Sequence, residues 1–315
     1  MQKRENKREC ILRSNFSIKL LNNTLIGYRT GERTLKASLA YFIRGISNKL
    51  HVFSTTVNKW YLSIDQKEFD KLWLIDSKFY NFKGALVPFE KHFPVKNVFQ
   101  DTFYFYTLFN DNYDSELVRK LDTYLNEGPY GYEGDGISVK VEEGDVVIDA
   151  GAWIGDFSAY AVAKGAQSYA FEPTSTTFKI LEQTAELNGE KFYPVKKGLG
   201  SVSRVCNMFV DNDGESNSIT ISKGENVEKI EVVTLDSFVQ QTNLKKVSFI
   251  KADIEGAERD MLLGARETLK KFSPKLAICT YHLPDDPEVL EQIIMDANPK
   301  YKIIHTKSKL FAQVK

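Results

Sequence analysis

Three times along the chain a short, largely apolar run ends in an acid and then breaks into a glycine or proline turn. The first is Val146-Val147-Ile148, followed by Asp149 and by Gly151 and Gly155. The second runs from Gln167 to Phe171 and ends in Glu172-Pro173. The third runs from Val247 to Ala252 and ends in Asp253, with Gly256 beyond it. Short apolar runs with little polar alternation predict parallel strands covered on both faces. Behind each, apolar residues return at helical spacing: Ile154, Phe157 and Ala161, then Phe178, Leu181 and Ala185, then Leu262, Ala265 and Leu269. Such stripes predict helices that pack one face on a sheet. The alternation of strand and helix predicts an α/β fold with a Rossmann-like sheet and helices on both of its sides.

The same reading extends to the C-terminus. A strand is predicted from Phe192 to Lys196, and a β-like insertion from Arg204 to Val233 precedes the Val247 strand. Within it Asp211-Asn212-Asp213-Gly214 reads as a hairpin turn, because the later ligands of a calcium loop are missing. Leu276 to His282 predicts a fifth strand. Asp286-Pro287 starts a helix with Leu290, Ile293, Ile294 and Ala297 inward, and Tyr301 to Thr306 with Leu310 to Val314 predicts a closing antiparallel hairpin. Residues 1–112 give mixed signals: β-like Leu50 to Phe53, helix-like Gln66 to Ser77, and an aromatic run from Phe99 to Phe109 read as core packing. We expect an N-terminal α/β extension over 1–112, serving substrate selection or oligomer contact, and a catalytic domain over 113–315. Asp114 to Asn126 predicts an amphipathic helix. Gly128 to Gly136 then predicts a mobile loop in which Tyr130 and Tyr132 form a lid over a ligand.

The acid-tipped turns suggest chemistry. A dinucleotide loop of the Gly-x-Gly-x-x-Gly type exposes backbone to a pyrophosphate. Here the order is Asp149-x-Gly151-x-x-x-Gly155, with bulky Trp153 and Ile154 inside the turn. That spacing favours an adenosyl group joined to an amino acid, its ammonium near Asp149, over a dinucleotide. Glu172 follows Gly151 by one helix and one strand, where a carboxylate accepts bonds from both ribose hydroxyls. Ligands of open α/β sheets lie beyond the carboxyl ends of the strands, so Asp149, Glu172 and Asp253 should share one rim. Glu258 reads instead as a helix-dipole partner.

Together, Asp149 to Gly155, Phe171-Glu172-Pro173, Thr234-Leu235-Asp236-Ser237-Phe238 and Ile250 to Glu258 resemble the FkbM-type methyltransferases. Leu276 to His282 and Asp285-Asp286 are similar to that family as well. The resemblance spans about Asn126 to the C-terminus. It implies the seven-stranded class I methyltransferase fold, S-adenosylmethionine as cofactor, and a hydroxyl acceptor on a sugar, glycan or small metabolite. It also implies a cofactor site built from Asp149, Gly151, Ala152, Trp153, Gly155, Phe157, Glu172, Pro173 and Asp253. Two positions depart from the family pattern. Trp153 replaces a small polar residue, and Leu199 stands near where many relatives place an acid for the adenine, which leaves packing on Leu199 or backbone groups for that ring.

Charge and composition narrow the partners. Basic and acidic residues balance at 42 each, so broad binding to a nucleic-acid backbone is not expected. Cys10, Cys206 and Cys279 are widely spaced and read as unpaired thiols, which fits a reducing cytoplasm. No apolar stretch is long enough to span a bilayer, and a homo-oligomer is left open. Methyl transfer to an alcohol calls for a base near the methyl group. Asp253 and His282 are the candidates, the histidine because an unperturbed imidazole accepts a proton at neutral pH. Glu255 is placed to touch the acceptor. A metal bridging Asp253 and Glu255 lacks a third ligand, so none is expected. The competing expectations are an NAD-type oxidoreductase and a non-catalytic binding protein that keeps the fold.

Overall fold

The computed structural model describes residues 79–82, 84–88, 129–210 and 226–314. All of them fall in one compact unit that spans Asp70–Lys315. The regions predicted at Leu50 to Phe53, Gln66 to Ser77, Phe99 to Phe109, Asp114 to Asn126 and Asp211 to Gly214 lie outside the described residues, as does Cys10.

The central sheet is built from β5 (Val146–Ala150), β6 (Gln167–Phe171), β7 (Phe192–Val195), β11 (Phe249–Ala252), β12 (Lys275–Cys279), β13 (Tyr301–His305) and β14 (Lys309–Val314). Its seven strands run in the order β7-β6-β5-β11-β12-β14-β13. The first five are parallel. β14 slots antiparallel between β12 and β13, as the closing hairpin predicted. The chain reverses strand order between β5 and β11, which opens a crevice above their carboxyl ends.

Side-chain alternation splits the core into two apolar layers. On one face Val147, Phe249, Ala277 and Phe311 meet α1 (Asp156–Ala163) and α2 (Ser175–Asn188). On the other, Ile148, Ile250, Leu276 and Leu310 meet α3 (Leu235–Gln241), α4 (Glu258–Leu263), α5 (Arg266–Phe272) and α6 (Asp286–Ala297). The stripe of Leu262, Ala265 and Leu269 is therefore shared by two helices, with a break at Gly264-Ala265, instead of marking one.

Two small hairpins thicken the first face. β1 (Phe79–Phe82) and β2 (Ala85–Pro88) pair antiparallel, and β2 packs on α1 and α2. Asn188 fastens it by accepting from Leu86 N at 3.0 Å and donating to Leu86 O at 2.6 Å. This cover explains why six consecutive residues of α1, Asp156 to Ala161, are buried, where a surface helix would bury one stripe. β3 (Tyr132–Gly134) and β4 (Ile137–Val139) form the second hairpin, and Ser138 N donates to Gln313 Oε1 at 2.8 Å.

The insertion before β11 is β-rich as expected: its β9 (Arg204–Val210) and β10 (Asn226–Val233) join β8 (Gly198–Leu199), which precedes it, in a separate sheet of order β8-β10-β9. Asp236, from the Thr234 to Phe238 motif, caps α5 across the turn. Its carboxylate accepts from Glu267 N, Thr268 N and Thr268 Oγ1 at 2.7–3.0 Å.

Candidate functional site

The turn after β5 is tied to its neighbours by close backbone contact. A Cβ on Gly151, whose φ is +74°, would lie 1.9 Å from the carbonyl oxygen of Asp253. One on Gly155, φ +86°, would lie 2.6 Å from Leu181 Cδ1 and 2.7 Å from Phe192 Cζ. Both glycines thus let protein approach protein on the Cβ side. Ala152 N donates to Phe171 O at 2.9 Å, which ties this turn to the end of β6. Trp153 is half-buried at φ +50°. Phe157 is buried in the core against Tyr130, Tyr160 and Phe249.

Asp149 has no exposed surface. Ser158 Oγ donates to its Oδ2 at 2.7 Å, and Lys251 Nζ stands 3.0 Å from its Oδ1 without hydrogen-bond alignment. Strand register brings this about, since Lys251 of β11 lies directly beside Asp149 of β5. The same ammonium donates to Gly151 O at 2.6 Å. Burial pulls the Lys251 ammonium down, but Asp149, Asp253 and Asp156 outweigh it and hold the pKa above the usual lysine value. Asp149 therefore meets a lysine within the protein, a partner not anticipated from the sequence.

Glu172 ends β6 as predicted and is 7 % exposed. Thr174 donates to its Oε1 twice, from N at 2.8 Å and from Oγ1 at 2.6 Å. Oε2 takes no hydrogen bond from the described residues. Burial pushes this carboxyl up to about 7, more than the Thr174 bonds and the Lys251 charge lower it. Pro173 is half-buried between the two. Leu199 lies in the buried layer that holds Phe171 and Val233.

Across the crevice, Asp253 is the hub. Tyr130 Oη donates to its Oδ2 at 2.6 Å and Tyr281 Oη to its Oδ1 at 3.0 Å. Burial works to raise its pKa, but Lys251, His282, Tyr130 and Lys309 keep the carboxyl below its ordinary range. The turn after β11 is shaped by Glu258, which accepts from Ile254 N at 2.8 Å and Gly256 N at 3.1 Å. This turn places Glu255 at φ +52°. Glu258 is fully buried, so its work goes beyond complementing a helix dipole.

His282, just past β12, sits among these acids with 4 % of its side chain exposed. Nδ1 lies 3.0 Å from Glu258 Oε1, and Nε2 lies 3.6 Å from both Asp253 Oδ1 and Glu255 Oε1. Neither nitrogen makes an aligned hydrogen bond. Burial lowers the imidazole's proton affinity, but Glu255, Glu258 and Asp253 more than reverse this and raise it to about 10. The expectation of an unperturbed base is corrected: three carboxylates keep the ring protonated at neutral pH. His282 and Glu258 also supply what the sequence reading lacked beside Asp253, since donor atoms of the three lie within 4.8 Å of one another.

The proposed lid is corrected too. Asp135 and Gly136, both at positive φ, close a two-residue hairpin turn between β3 and β4 where a mobile loop was expected. Both tyrosines are buried in the core. Tyr130 belongs to the site through Asp253, and the ammonium groups of Lys251 and Lys309 lie 5.1 and 5.0 Å from its ring centre. Tyr132 stacks on Phe311 and donates to Asp135. Lys251 and Lys309 are the site residues missed in the sequence. The signal was a lysine inside or at the head of an otherwise apolar strand.

A parallel sheet closed by an inserted antiparallel strand, with acid-tipped turns around the strand-order reversal, defines the class I methyltransferase fold. Residues 149–301 match the model of the Methyltransferase FkbM domain. Over 158 residues the chain is 27% identical to the hexuronic acid methyltransferase AglP of Haloferax volcanii, covering 50% of this chain and 64% of that protein. Over 142 residues it is 28% identical to Methyltransferase 1 of Beauveria bassiana, covering 38% of this chain and 57% of that one. The crystal structure of the FkbM methyltransferase from Methylobacillus flagellatus KT is similar with 25% identity and a TM-score of 0.44, over 68% of this chain and 59% of that chain. The chain thus spans less than two thirds of the length of each. Among the described residues, no helix is long and apolar enough to cross a membrane.

Proposed function

We propose that this chain is an S-adenosylmethionine-dependent methyltransferase that methylates a hydroxyl of a sugar or another small polar metabolite. The observation that supports it most is Glu172: a buried carboxyl at the end of the second strand, anchored through one oxygen while the other takes no hydrogen bond from the described residues. A ribose diol satisfies such a group with two charge-assisted hydrogen bonds. The methyltransferase family match makes a dinucleotide the weaker occupant. Among the described residues, five acids besides Glu172 (Asp149, Asp156, Asp253, Glu255 and Glu258) and three basic groups (Lys251, His282 and Lys309) interact around this rim. That excess suits a cofactor bearing a sulfonium and an ammonium.

The acceptor would enter over Asp253, Glu255 and Tyr281, a residue 42% exposed. A flat aromatic ring beside carboxylates suits a polyol, and the similarity to a hexuronic acid methyltransferase points the same way. The sulfonium already provides a good leaving group, so the protein's share is alignment, worth up to about 7–11 kcal/mol in the best cases, and removal of one proton. Asp253, held ionised, is the group here that accepts the hydroxyl's hydrogen bond; Tyr130 and Tyr281 orient it, and the nearby His282 balances its charge. The test has two parts. Calorimetry with S-adenosylhomocysteine and with NAD should show one site for the first and none for the second. A screen of glycans and small polyols with labelled methyl donor should then find an acceptor, whereas exclusive NAD binding would overturn the reading.

A further inference from the structure

His282 is placed as a metal ligand is placed. It lies almost wholly inside the protein, three carboxylates converge on it, and neither ring nitrogen has an aligned hydrogen-bond partner. A single imidazolium charge answers only one of those three acids. Glu258 is held rigid by the backbone N–H groups of Ile254 and Gly256, and Asp253 by two tyrosine hydroxyls. Rigid donors on fixed elements are what a metal site requires. Two donors bound at ~2.1 Å to one ion stand about 3.0–3.4 Å apart. From His282 Nε2, Asp253 Oδ1 stands at 3.6 Å, near that spacing, and one donor atom from each of Asp253, Glu258 and His282 lies within 4.8 Å of the other two.

We propose that Asp253, Glu258 and His282 form a binding site for one divalent cation, with Glu255 beside it. One imidazole nitrogen with carboxylate oxygens suits a borderline-to-hard ion such as Mn²⁺, with Mg²⁺ or Zn²⁺ as competitors. The ion takes the place of the imidazole proton, and the two remaining acids keep the cluster from excess positive charge. Its bearing on methyl transfer rests on the function proposed above: at this rim it polarises an acceptor hydroxyl. Binding of the ion itself does not depend on that function.

The experiment uses the full chain freed of metal by chelation and titrated with Mn²⁺, followed by calorimetry and by electron paramagnetic resonance. One saturable site per chain is expected, with spin-echo modulation from a directly bound imidazole nitrogen. His282→Asn and Asp253→Asn should each abolish that site and the modulation. S-Adenosylhomocysteine binding by His282→Asn, together with its circular dichroism, shows that the variant is folded and separates failure here from failure of the cofactor reading. No saturable uptake by the wild-type chain, or uptake equal in both variants, overturns the proposal.

Discussion

Glu172 offers a direct test because its environment sets two pH dependences of opposite sign. Its carboxyl is raised from 4.5 to about 7 by burial. The folded chain therefore binds a proton between these values that the unfolded chain has released. Stability falls as pH rises from about 4.5 to about 7, by roughly 3 kcal/mol at about 1.4 kcal/mol per pKa unit, and levels off above. Ligand affinity runs the other way, since only the carboxylate accepts from both ribose hydroxyls. About one tenth of the group is ionised at pH 6 and about nine tenths at pH 8, so affinity should rise about tenfold between them. Glu172→Gln removes both effects. At pH 8 it should weaken S-adenosylhomocysteine binding by about 2–4 kcal/mol, from the loss of two charge-assisted bonds. The same change should raise thermal stability relative to wild type, less the weakening of the Thr174 bonds. Calorimetry at pH 6, 7 and 8 on both proteins, compared by difference, isolates Glu172 from titration of the ligand's own amine. A pH-independent difference, or wild-type affinity in the variant, would refute the assignment.

Other outcomes follow from the same geometry. Gly151→Ala forces a Cβ onto the Asp253 carbonyl at positive φ and should cost at least about 2 kcal/mol in denaturant unfolding; an unchanged midpoint would show that the two loops do not meet. Tyr132→Ala should cost about 3–5 kcal/mol, as a core aromatic truncation, whereas Tyr130→Phe should keep near-wild-type stability and lower turnover through Asp253; equal effects on both readouts would contradict this division. Lys251→Met strands Asp149 in the core and should cost about 3–5 kcal/mol, much of it restored by adding Asp149→Asn; strictly additive losses would mean that the pair is not coupled. Asp253→Asn should retain S-adenosylhomocysteine binding and cut turnover about 10²-fold or more with the acceptor once found; undiminished turnover would place the proton acceptor elsewhere.

The parallel strands and the helices behind them were legible because each is a local pattern: an apolar run, a turn residue, a 3.6-residue stripe. The strand-tip acids were legible for the same reason, and Glu172 and Asp253 stand where that pattern put them. What could not be read was set by pairing across the sheet. Nothing near Asp149 in sequence announces Lys251; β5 and β11 become neighbours only because the strand order reverses there, and their register then aligns the two residues. The protonation of His282 is equally non-local, arising from acids about 25 positions earlier. The lid was misjudged because glycine and tyrosine between two elements read equally well as a mobile loop or a tight hairpin. The burial of Tyr130 and Tyr132 is fixed by β14 and by the Asp253 loop, which the local pattern does not contain.

These non-local pairs also explain why three similar strand ends differ in chemistry. Asp149 meets a buried lysine and no solvent; it fixes the first turn relative to β11 and contributes to the field instead of gripping a ligand. Among the described residues no cation touches Glu172 and one of its oxygens takes no hydrogen bond, so burial raises its pKa. Asp253 lies between lysine and imidazolium and stays ionised while two tyrosines aim it. A structural acid, a ligand-hungry acid and an oriented, charged acid thus arise from one repeated motif, and the difference comes from where the cations stand. Moving a single positive charge should therefore change the chemistry of a strand end it does not touch: with Lys251 replaced by Met, Glu172 loses a charge that lowers its pKa, and the pH dependence of ligand binding should shift upward.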